Sequence, residues 1–240
     1  MIEITIPVLN EENILKKNVL ILHYYLANKI PNIGDWQIII ADNGSSDQTK
    51  AISIGLTHEY REIKYLSVNK KGVGKALKAS WAASKANYIG YMDLDLATDL
   101  KHMKQILPAF ANNYDIVYGS RLLVDSKVSG RSLKREITSR CFNFVVRKYL
   151  KVKLTDGMCG FKFLRKEVFD KLYNSGANSD GWFFSTELIV TGEWNHYNLL
   201  ELPIEWRDSD ESHVKIVPLA LEYIKAMRRL KSFKPISISS

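Results

Sequence analysis

Up to about residue 120, short apolar runs alternate with longer segments in which apolar residues recur every three or four positions. Short apolar runs between turn residues indicate buried strands, and the three-to-four spacing indicates amphipathic helices. The predicted strands are Ile2–Pro7, Trp36–Ala41, Ile63–Ser67, Tyr88–Met92 and Asp115–Gly119. The predicted helices are Glu12–Lys29, Asp47–Leu56, Val73–Ala86 and Asp99–Asn112. This alternation predicts an α/β fold with a mostly parallel, Rossmann-like sheet that binds ligands at the carboxyl ends of its strands.

Beyond Gly119 the predicted elements become less regular. They are a helix at Ser132–Leu150, a turn and strand at Asp156–Leu164, a helix around Ser185–Gly192, a strand at Leu199–Trp206 and a helix at Val214–Leu230. A chain of 240 residues fits a single large domain, which we assign to residues 1–230. Residues 231–240 are predicted to be a flexible tail.

The positive charge is concentrated in one segment. The net charge is +8, and residues 121–153 carry ten Lys and Arg against two acidic residues, whereas the regions on either side are nearly neutral. The predicted helix in this segment has an apolar face formed by Ile137, Cys141, Phe144 and Val145. A basic amphipathic helix is typical of a lipid interface, so the segment predicts contact with a membrane surface. A solvated basic face is the alternative.

The last predicted helix is also amphipathic. Its apolar stripe consists of Val217, Ala220, Leu221, Ile224 and Met227, and its end is cationic. We therefore expect the C-terminal half of the chain to present amphipathic, membrane-facing helices.

Two aspartates, Asp93 and Asp95, follow the apolar strand Tyr88–Met92 directly. Carboxylates at the edge of a core need compensation, because an unpaired buried charge is costly. Residues two apart in a strand point to the same side, so both carboxylates would meet at one spot. Two oxygen ligands there suit Mg²⁺ or Mn²⁺, with substrate phosphates completing the shell. Capping of a following helix is the simpler explanation.

Two other polar loops follow predicted strands. Asp42 ends the second strand, where a carboxylate can accept the imino hydrogen of a nucleobase, although the loop also resembles an ordinary turn before a helix. In Pro7–Glu12, Asn10 is a candidate helix cap and Glu11 a candidate ligand for ribose hydroxyls. The run NKKGVGKAL, which contains Lys75, suggests a phosphate or sugar contact but lacks the spacing of a nucleotide-binding P-loop; a tight glycine turn is the alternative.

Composition bounds the remaining classes. The chain opens on EITIP, which does not resemble a signal peptide, and no apolar run approaches the length of a membrane span. Cys141 and Cys159 lack metal-binding spacing, so we expect a reducing, cytoplasmic environment. The basic residues carry few interleaved aromatics and form no nucleic-acid-binding motif, so nucleic acid is not an expected partner.

The ordered motifs resemble those of family 2 glycosyltransferases with the GT-A fold. They are PVLNE, ADNGSSDQT, Asp93-Leu94-Asp95, YGSR ending at Arg121 and CGFK ending at Lys162. The resemblance extends over residues 2–230 and is greatest to the polyprenyl-phosphate sugar transferases, which include dolichyl-phosphate glucose and mannose synthases and bacterial undecaprenyl-phosphate enzymes. It implies a nucleotide-sugar-binding half over residues 1–120 and an acceptor and membrane-facing half over residues 121–230.

The resemblance also implies roles for individual residues. Asp42 and Glu11, with Pro7 and Asn10 of the same motifs, would bind the nucleoside, and Asp93 and Asp95 the metal and diphosphate. Arg121 and Arg135 would bind the acceptor phosphate, and Arg207 the donor diphosphate. Two positions depart from the pattern: Ala97 stands where many mannose synthases have Gln, and Ser185 where glucose synthases tend to have an acid. The resemblance therefore does not assign the transferred sugar, and glucose and mannose both stay open.

The predicted reaction is inverting transfer of a hexose from a UDP- or GDP-sugar to a polyprenyl phosphate, by a peripheral protein at the cytoplasmic face of a membrane. Docking on a separate membrane-spanning partner is left open. Three alternatives remain: a transferase acting on a sugar hydroxyl with Glu187 as base, a sugar nucleotidyltransferase, and a non-catalytic binder of anionic surfaces. A phosphate acceptor is already ionised, so the predicted reaction needs no general base.

Overall fold

The computed structural model describes residues 1–30, 32–68, 70–208 and 216–235. Nine strands and eight α-helices lie within these residues. The strands are β1 Ile2–Val8, β2 Trp36–Asp42, β3 Ile63–Ser67, β4 Tyr88–Met92, β5 Ile116–Ser120, β6 Lys127–Ser129, β7 Phe161–Arg165, β8 Leu199–Pro203 and β9 Glu205–Arg207. The helices are α1 Leu15–Lys29, α2 Thr49–Glu59, α3 Val73–Ala83, α4 Ile106–Ala111, α5 Leu133–Leu150, α6 Lys166–Asn174, α7 Phe184–Trp194 and α8 Ile216–Lys231, with a 3₁₀ helix at Leu100–Gln105.

Seven strands form the central sheet in the order β3-β2-β1-β4-β7-β5-β8. All neighbouring strands run parallel except β7, which is antiparallel to both β4 and β5. The prediction of a mostly parallel sheet is confirmed. Because β1, β2, β3 and β4 are parallel, their carboxyl ends meet at one edge of the sheet, where ligands bind in open α/β folds.

The elements predicted after residue 119 differ from the structure at two places. The turn and short strand expected at Asp156–Leu164 are present, with the strand at Phe161–Arg165, where it separates β4 from β5. The strand expected at Leu199–Trp206 is two strands, since β9 leaves the central sheet and pairs with β6. Helix α6 is absent from the predicted elements, although Val168, Phe169 and Leu172 give it a buried face.

Two apolar clusters cover the faces of the sheet. Helices α1, α2 and α4 pack on one face and contribute Leu22, Leu56 and Phe110 to its cluster. The other face is covered by α3 and α5 to α8, with Trp81 and Phe184 among its buried side chains. Burial on both sides explains why apolar residues fill most positions of the central strands, as in β4 (YIGYM).

Helices α5 and α8 pack against each other through aromatic rings. Phe142 of α5 lies 5.0 Å from the ring of Tyr223, which also lies 5.3 Å from Phe183. The apolar face predicted for α5 is not its buried face: Ile137, Phe144 and Val145 are exposed. The side chains that α5 buries are Ser139, Asn143, Val146 and Leu150.

The predicted C-terminal tail is only partly accounted for. Lys231 belongs to α8, and Phe233 packs on Gly176, where an added Cβ would lie 2.7 Å from the ring. Residues 236–240, and the predicted start of the last helix at Val214, lie outside the described residues. Among the residues that are described, no helix is both long and apolar enough to cross a membrane.

Candidate active site

The loops after β1 and β2 are held together by hydrogen bonds. Asn10 has a left-handed backbone conformation (φ 57°), and its side-chain oxygen accepts from the backbone N–H of Ser46 at 2.8 Å. The backbone N–H of Glu11 donates to the hydroxyl of Thr49 at 2.8 Å. The structure therefore brings the two predicted nucleoside-binding loops together beside Pro7, near the end of β1.

Asp42 shapes its own loop. Its Oδ1 accepts from the backbone N–H groups of Gly44 (3.1 Å) and Ser45 (2.8 Å), and its Oδ2 accepts from the hydroxyl of Tyr65 at 2.9 Å. The side chain is buried. Each carboxylate oxygen has two acceptor sites, and Tyr65 fills one of those on Oδ2. Within the part of the chain that the structure describes, the second site of Oδ2 has no donor, as binding of a nucleobase would require.

Asp93 and Asp95 lie where β4 ends. The backbone N–H of Asp93 donates to the carbonyl of Gly160 at 3.2 Å, and Oδ1 of Asp95 accepts from the backbone N–H of Ala97 at 3.0 Å. The Asp93 carboxylate occupies the space that a side chain at position 160 would need, since an added Cβ on Gly160 would lie 1.8 Å from Oδ2. Glycine at this position is therefore required for Asp93 to adopt its place.

The electrostatics at Asp93 suit a cation. Burial and the neighbouring charge of Asp95 raise the pKa of Asp93 to about 6, against the opposing effect of Lys162 and Arg121. A divalent cation beside the two carboxylates would stabilise their charged forms and so lower the pKa of Asp93. Among the described residues no group of three or more His, Cys, Asp or Glu could hold a metal, and Asp93 and Asp95 are two carboxylates.

Lys162 lies beneath the site on β7 and is fully buried. Its ammonium donates to the carbonyl of Cys159 and lies 3.4 Å from both the hydroxyl of Tyr91 and that of Ser185. Burial lowers the pKa of Lys162 to about 8. These partners are neutral. The positive charge of Lys162 acts electrostatically on the carboxylate of Asp93.

Arg121 follows β5 and forms a bidentate ion pair with Asp156. Nε donates to Oδ2 at 2.7 Å, Nη2 donates to Oδ1 at 2.9 Å, and the backbone N–H of Arg121 donates to Oδ2 at 3.1 Å. Asp156 is fully buried, and Arg121 holds its pKa down at about 2 against the effect of burial. The guanidinium also lies 4.8 Å from the ring of Trp206. Arg121 is therefore fixed in position, and three of its five guanidinium N–H groups have no acceptor among the described residues.

Two further arginines lie at the start of α5. Arg135 pairs with Asp208 at 2.9 Å, and Arg131 lies 3.3 Å from Glu136. Burial and the nearby charge of Arg121 lower the pKa of Arg131. The three guanidinium groups thus lie beside the carboxyl edge of the sheet, and each is paired with a carboxylate. Arginine is the residue typical of phosphate-binding sites.

Arg207 is placed beside the Asp93–Asp95 loop by its backbone. Its N–H donates to the carbonyl of Ala97 at 2.9 Å, and its side chain is exposed. Ala97, the position that departs from the mannose synthase pattern, is buried and links Asp95 to β9 through its two backbone groups.

Lys75 and its glycine-rich run form a packing contact. The Lys75 ammonium lies 3.3 Å from Asp180, and the backbone N–H of Gly74 donates to the carbonyl of Gly181 at 3.2 Å. A Cβ on Gly74 would lie 2.3 Å from the carbonyl oxygen of Ser179. The glycines thus let α3 approach the loop 178–182 closely, and a role of Lys75 in binding a sugar or phosphate stays a prediction.

Glu187 is buried in a network that joins α7 to α8. Its Oε2 accepts from the backbone N–H of Ser179 at 2.8 Å, and its Oε1 accepts from the Ser179 hydroxyl at 2.6 Å and from Arg229. Burial raises the pKa of Glu187, and the hydrogen bonds of Ser179 and the charge of Arg229 oppose that rise.

Three residues of this region were not among the predicted site residues: Asp156, Lys162 and Arg131. Lys162 interrupts the apolar run FKFL, and a lysine at the centre of a buried strand is a signal that sequence reasoning can use. Asp156 gives no such signal, because only the fold shows that it meets Arg121.

Residues 3–173, more than half of the chain, match the family model described as glycosyl transferase family 2. The chain belongs to glycosyl transferase family 2. The curated relative glycosyltransferase AglD of Haloferax volcanii is 30% identical over 218 residues, which make up 90% of this chain and 34% of AglD.

Two relatives from Trichomonas vaginalis carry more specific names. Dolichyl-phosphate beta-glucosyltransferase ALG5C is 26% identical over 79% of this chain and 59% of its own length, and ALG5A is 26% identical over 93% of this chain and 72% of its own length. The chain thus spans about a third of AglD and 59% of ALG5C.

The fold is shared with solved family 2 structures. Glucosyl-3-phosphoglycerate synthase of Mycobacterium tuberculosis, crystallised with Mn²⁺, UDP and glucosyl-3-phosphoglycerate, superimposes with a TM-score of 0.67 at 16% identity, over 99% of this chain and 81% of that one. The same enzyme with Mg²⁺ and UDP gives a TM-score of 0.65 at 17% identity. The likeness confirms the GT-A fold of this chain.

Proposed function

We propose that this family 2 protein transfers a hexose, with inversion, from a UDP- or GDP-sugar to a polyprenyl phosphate at the cytoplasmic face of a membrane. The observation that carries the proposal is the position of Arg121. Asp156 holds it close enough to Asp93 to affect the pKa of that carboxyl, and it opens the basic segment that continues into α5. One place thus combines carboxylates for a metal–diphosphate complex with cations for an acceptor phosphate.

The donor would lie along the carboxyl edge of the sheet. Asp42 keeps an acceptor site for the base, and the loop of Asn10 and Glu11 lies next to it. Asp93 and Asp95 would hold Mg²⁺ or Mn²⁺, which when bound neutralises charge that develops on a departing diphosphate. The exposed Arg207 side chain, anchored beside this loop, would add a second positive group.

The acceptor phosphate would contact the remaining donors of Arg121, with Arg131 and Arg135 nearby. Arginine suits this role because its planar group binds two phosphate oxygens at once. The acceptor oxygen is ionised near neutral pH, so orientation by these side chains takes the place of proton removal.

Transfer to a hydroxyl group, the alternative, would need a free base. Both oxygens of Glu187 already accept hydrogen bonds from Ser179 and Arg229. We therefore assign Glu187 to anchoring α8. The Glu187→Gln variant should keep transfer to a prenyl phosphate within a few-fold of wild type, whereas a loss of turnover without loss of folding would favour the hydroxyl reaction.

The membrane location rests on α5 and on the names of the dolichyl-phosphate relatives. Its exposed face carries Ile137, Phe144 and Val145 beside basic residues, as expected for a helix that lies in a lipid interface. A separate membrane-spanning partner stays a prediction of the sequence.

The test is an assay of the purified chain with UDP-glucose, UDP-GlcNAc and GDP-mannose, each offered with farnesyl phosphate or 3-phosphoglycerate. We expect labelled sugar in the butanol-extractable lipid for one donor with either Mg²⁺ or Mn²⁺. Label found with 3-phosphoglycerate and not with the lipid would contradict the proposed acceptor.

A further inference from the structure

A groove with a volume of about 610 Å³ runs along the outer face of α5. Cys141, Phe144 and Val145 line it from the helix, and these residues are spaced so that they share one helical face. The volume lies within the range of ~300–1,000 Å³ that is usual for ligand pockets. Arg140 and Arg147 also border the groove.

The groove begins next to the proposed acceptor-phosphate site. Its remaining lining residues, Leu122 and Thr155, directly adjoin Arg121 and Asp156 in the chain. Ser120 joins the two: its hydroxyl accepts from the backbone N–H of Leu122 at 3.2 Å and lies 2.6 Å from the hydroxyl of Thr155. The end of the groove is therefore connected to the ion pair that positions Arg121.

The groove exposes apolar side chains that have no role in the core. Phe144 is 53% and Val145 47% exposed, and α5 packs on the sheet through a different face. Apolar surface of this kind, beside a concave site and rimmed by cations, usually marks a binding site. A hydrocarbon chain attached to an anion matches both features.

We propose that this groove binds the first isoprene units of the acceptor lipid while the phosphate contacts Arg121. This inference rests on the proposed function and adds the place of the hydrocarbon chain. The chain would leave the phosphate between Leu122 and Thr155 and continue over Phe144 and Val145 toward the membrane. Sugars and free phosphate lack the apolar part that this surface would bury.

Alkylation of Cys141 tests occupancy without requiring turnover. Cys141 is exposed in the groove, whereas Cys159 is fully buried and should not react in the folded protein. Farnesyl phosphate at ~10 times its Kd should slow the reaction of Cys141 with N-ethylmaleimide about tenfold, because only the unoccupied fraction reacts. Inorganic phosphate should give no protection.

The matched control moves the thiol to a site outside the groove. In a Cys141→Ser, Leu133→Cys variant the new thiol lies on the same helix at a position that is 82% exposed in wild type. Farnesyl phosphate should not protect it. Equal protection at both positions would show general coating by an amphiphile and would overturn the proposal, as would an unprotected Cys141 in a protein that glycosylates the same lipid.

Dependence on chain length gives a second test. Wild type should use geranylgeranyl phosphate with a higher kcat/KM than geranyl phosphate, and Phe144→Ser should reduce that preference about tenfold. Leu133→Ser, which changes an exposed residue of α5 outside the groove, should leave it unchanged. An unchanged preference in Phe144→Ser would overturn the proposal that the groove binds the isoprene units. If wild type transferred sugar to no prenyl phosphate at all, the proposed function itself would be overturned.

Discussion

Two cations lie at the floor of the candidate site and are held in different ways. Arg121 forms a bidentate ion pair with Asp156, in which Asp156 is fully buried and the Arg121 side chain is 11% exposed. The partners of Lys162 are the neutral oxygens of Cys159, Tyr91 and Ser185. Removing the carboxylate partner of a buried positive charge destabilises the folded protein. A buried positive charge whose partners are neutral has a lowered pKa instead.

Asp156→Asn should destabilise the protein strongly. The substitution leaves the Arg121 guanidinium, which is only 11% exposed, without its counter-charge, and breaking such a pair in the protein interior typically costs ~3–5 kcal/mol. Urea unfolding at neutral pH measures the loss. Asp208→Asn is the control, because the Arg135 side chain that loses this carboxylate is 33% exposed and such pairs contribute about 1 kcal/mol or less. Equal losses in the two variants would contradict a dominant role for the buried pair.

Lys162 should make stability rise with pH in the alkaline range. Burial lowers its pKa from 10.5 to about 8, so between these values the unfolded chain binds more protons than the folded chain. The free energy of unfolding of wild type, relative to that of Lys162→Met, should therefore increase by about 2 kcal/mol from pH 8 to pH 10. Urea titrations of both proteins at several pH values test this, and a constant difference would show that Lys162 keeps an ordinary pKa.

At the residue scale, the sequence predicts those candidate site residues that directly follow a predicted strand. Asp93 and Asp95 could be predicted because the run Tyr88–Met92 ends there and the strand itself is regular. The partner of Arg121 could not be predicted, since Asp156 is 35 residues away and meets it only through the antiparallel return of β7.

At the element scale, the order of the strands depends on which strands pair with each other, and the spacing of apolar residues does not predict that pairing. The five strands predicted up to residue 120 lie within one or two residues of β1 to β5. Placement of β7 between β4 and β5 brings Cys159 and Gly160 against Asp93, and so completes the site. A period-two pattern identifies a strand without identifying its neighbours.

A side chain at position 74, near the start of α3, should destabilise the protein. In Gly74→Ala the new Cβ would lie 2.3 Å from the Ser179 carbonyl oxygen and 2.8 Å from Cβ of Phe184, so α3 or the loop 178–182 must move. We expect a loss of ~1–3 kcal/mol in thermal or urea unfolding, as is typical of overpacking.

The control is Gly55→Ala in the middle of α2, where an added Cβ meets nothing within 4 Å. Alanine should stabilise that helix by ~0.5–1 kcal/mol, because glycine loses more backbone entropy on folding. A gain at Gly74 as well would mean that the loop 178–182 is not packed against α3.

At the scale of the molecule, the charge and the exposed apolar surface coincide. The basic segment 121–153 includes α5, and α5 carries Phe144 and Val145 outward on the face of the sheet opposite α1 and α2. The likeness to the dolichyl-phosphate relatives and the GT-A fold are independent of this surface. A lipid-facing role of α5 therefore rests on the charge and the exposed apolar side chains of the helix.

Charge reversal on α5 should release the protein from anionic membranes. Lys134, Arg140 and Lys148 are exposed, and each basic residue near an anionic surface contributes about 1 kcal/mol. The triple substitution to Glu should lower the affinity for phosphatidylserine vesicles by about a hundredfold or more in sedimentation assays.

A triple variant on the other face separates this effect from net charge. Lys17→Glu, Lys50→Glu and Lys104→Glu change exposed lysines on α1, α2 and the 3₁₀ helix by the same total charge. Binding that falls equally in both variants would contradict a membrane-facing α5.

The central claim is that a metal–diphosphate site at Asp93 and Asp95 serves an acceptor phosphate, and sugar transfer to farnesyl phosphate and to farnesol tests it most directly. With its preferred labelled donor and Mn²⁺, wild type should label farnesyl phosphate and not farnesol. Asp95→Ala should lose at least about a hundredfold in kcat, the scale of losing one charge-stabilising group, while Asp125→Ala, an exposed carboxylate outside the site, should retain full activity. Equal labelling of farnesol, or full activity in Asp95→Ala, would contradict the account.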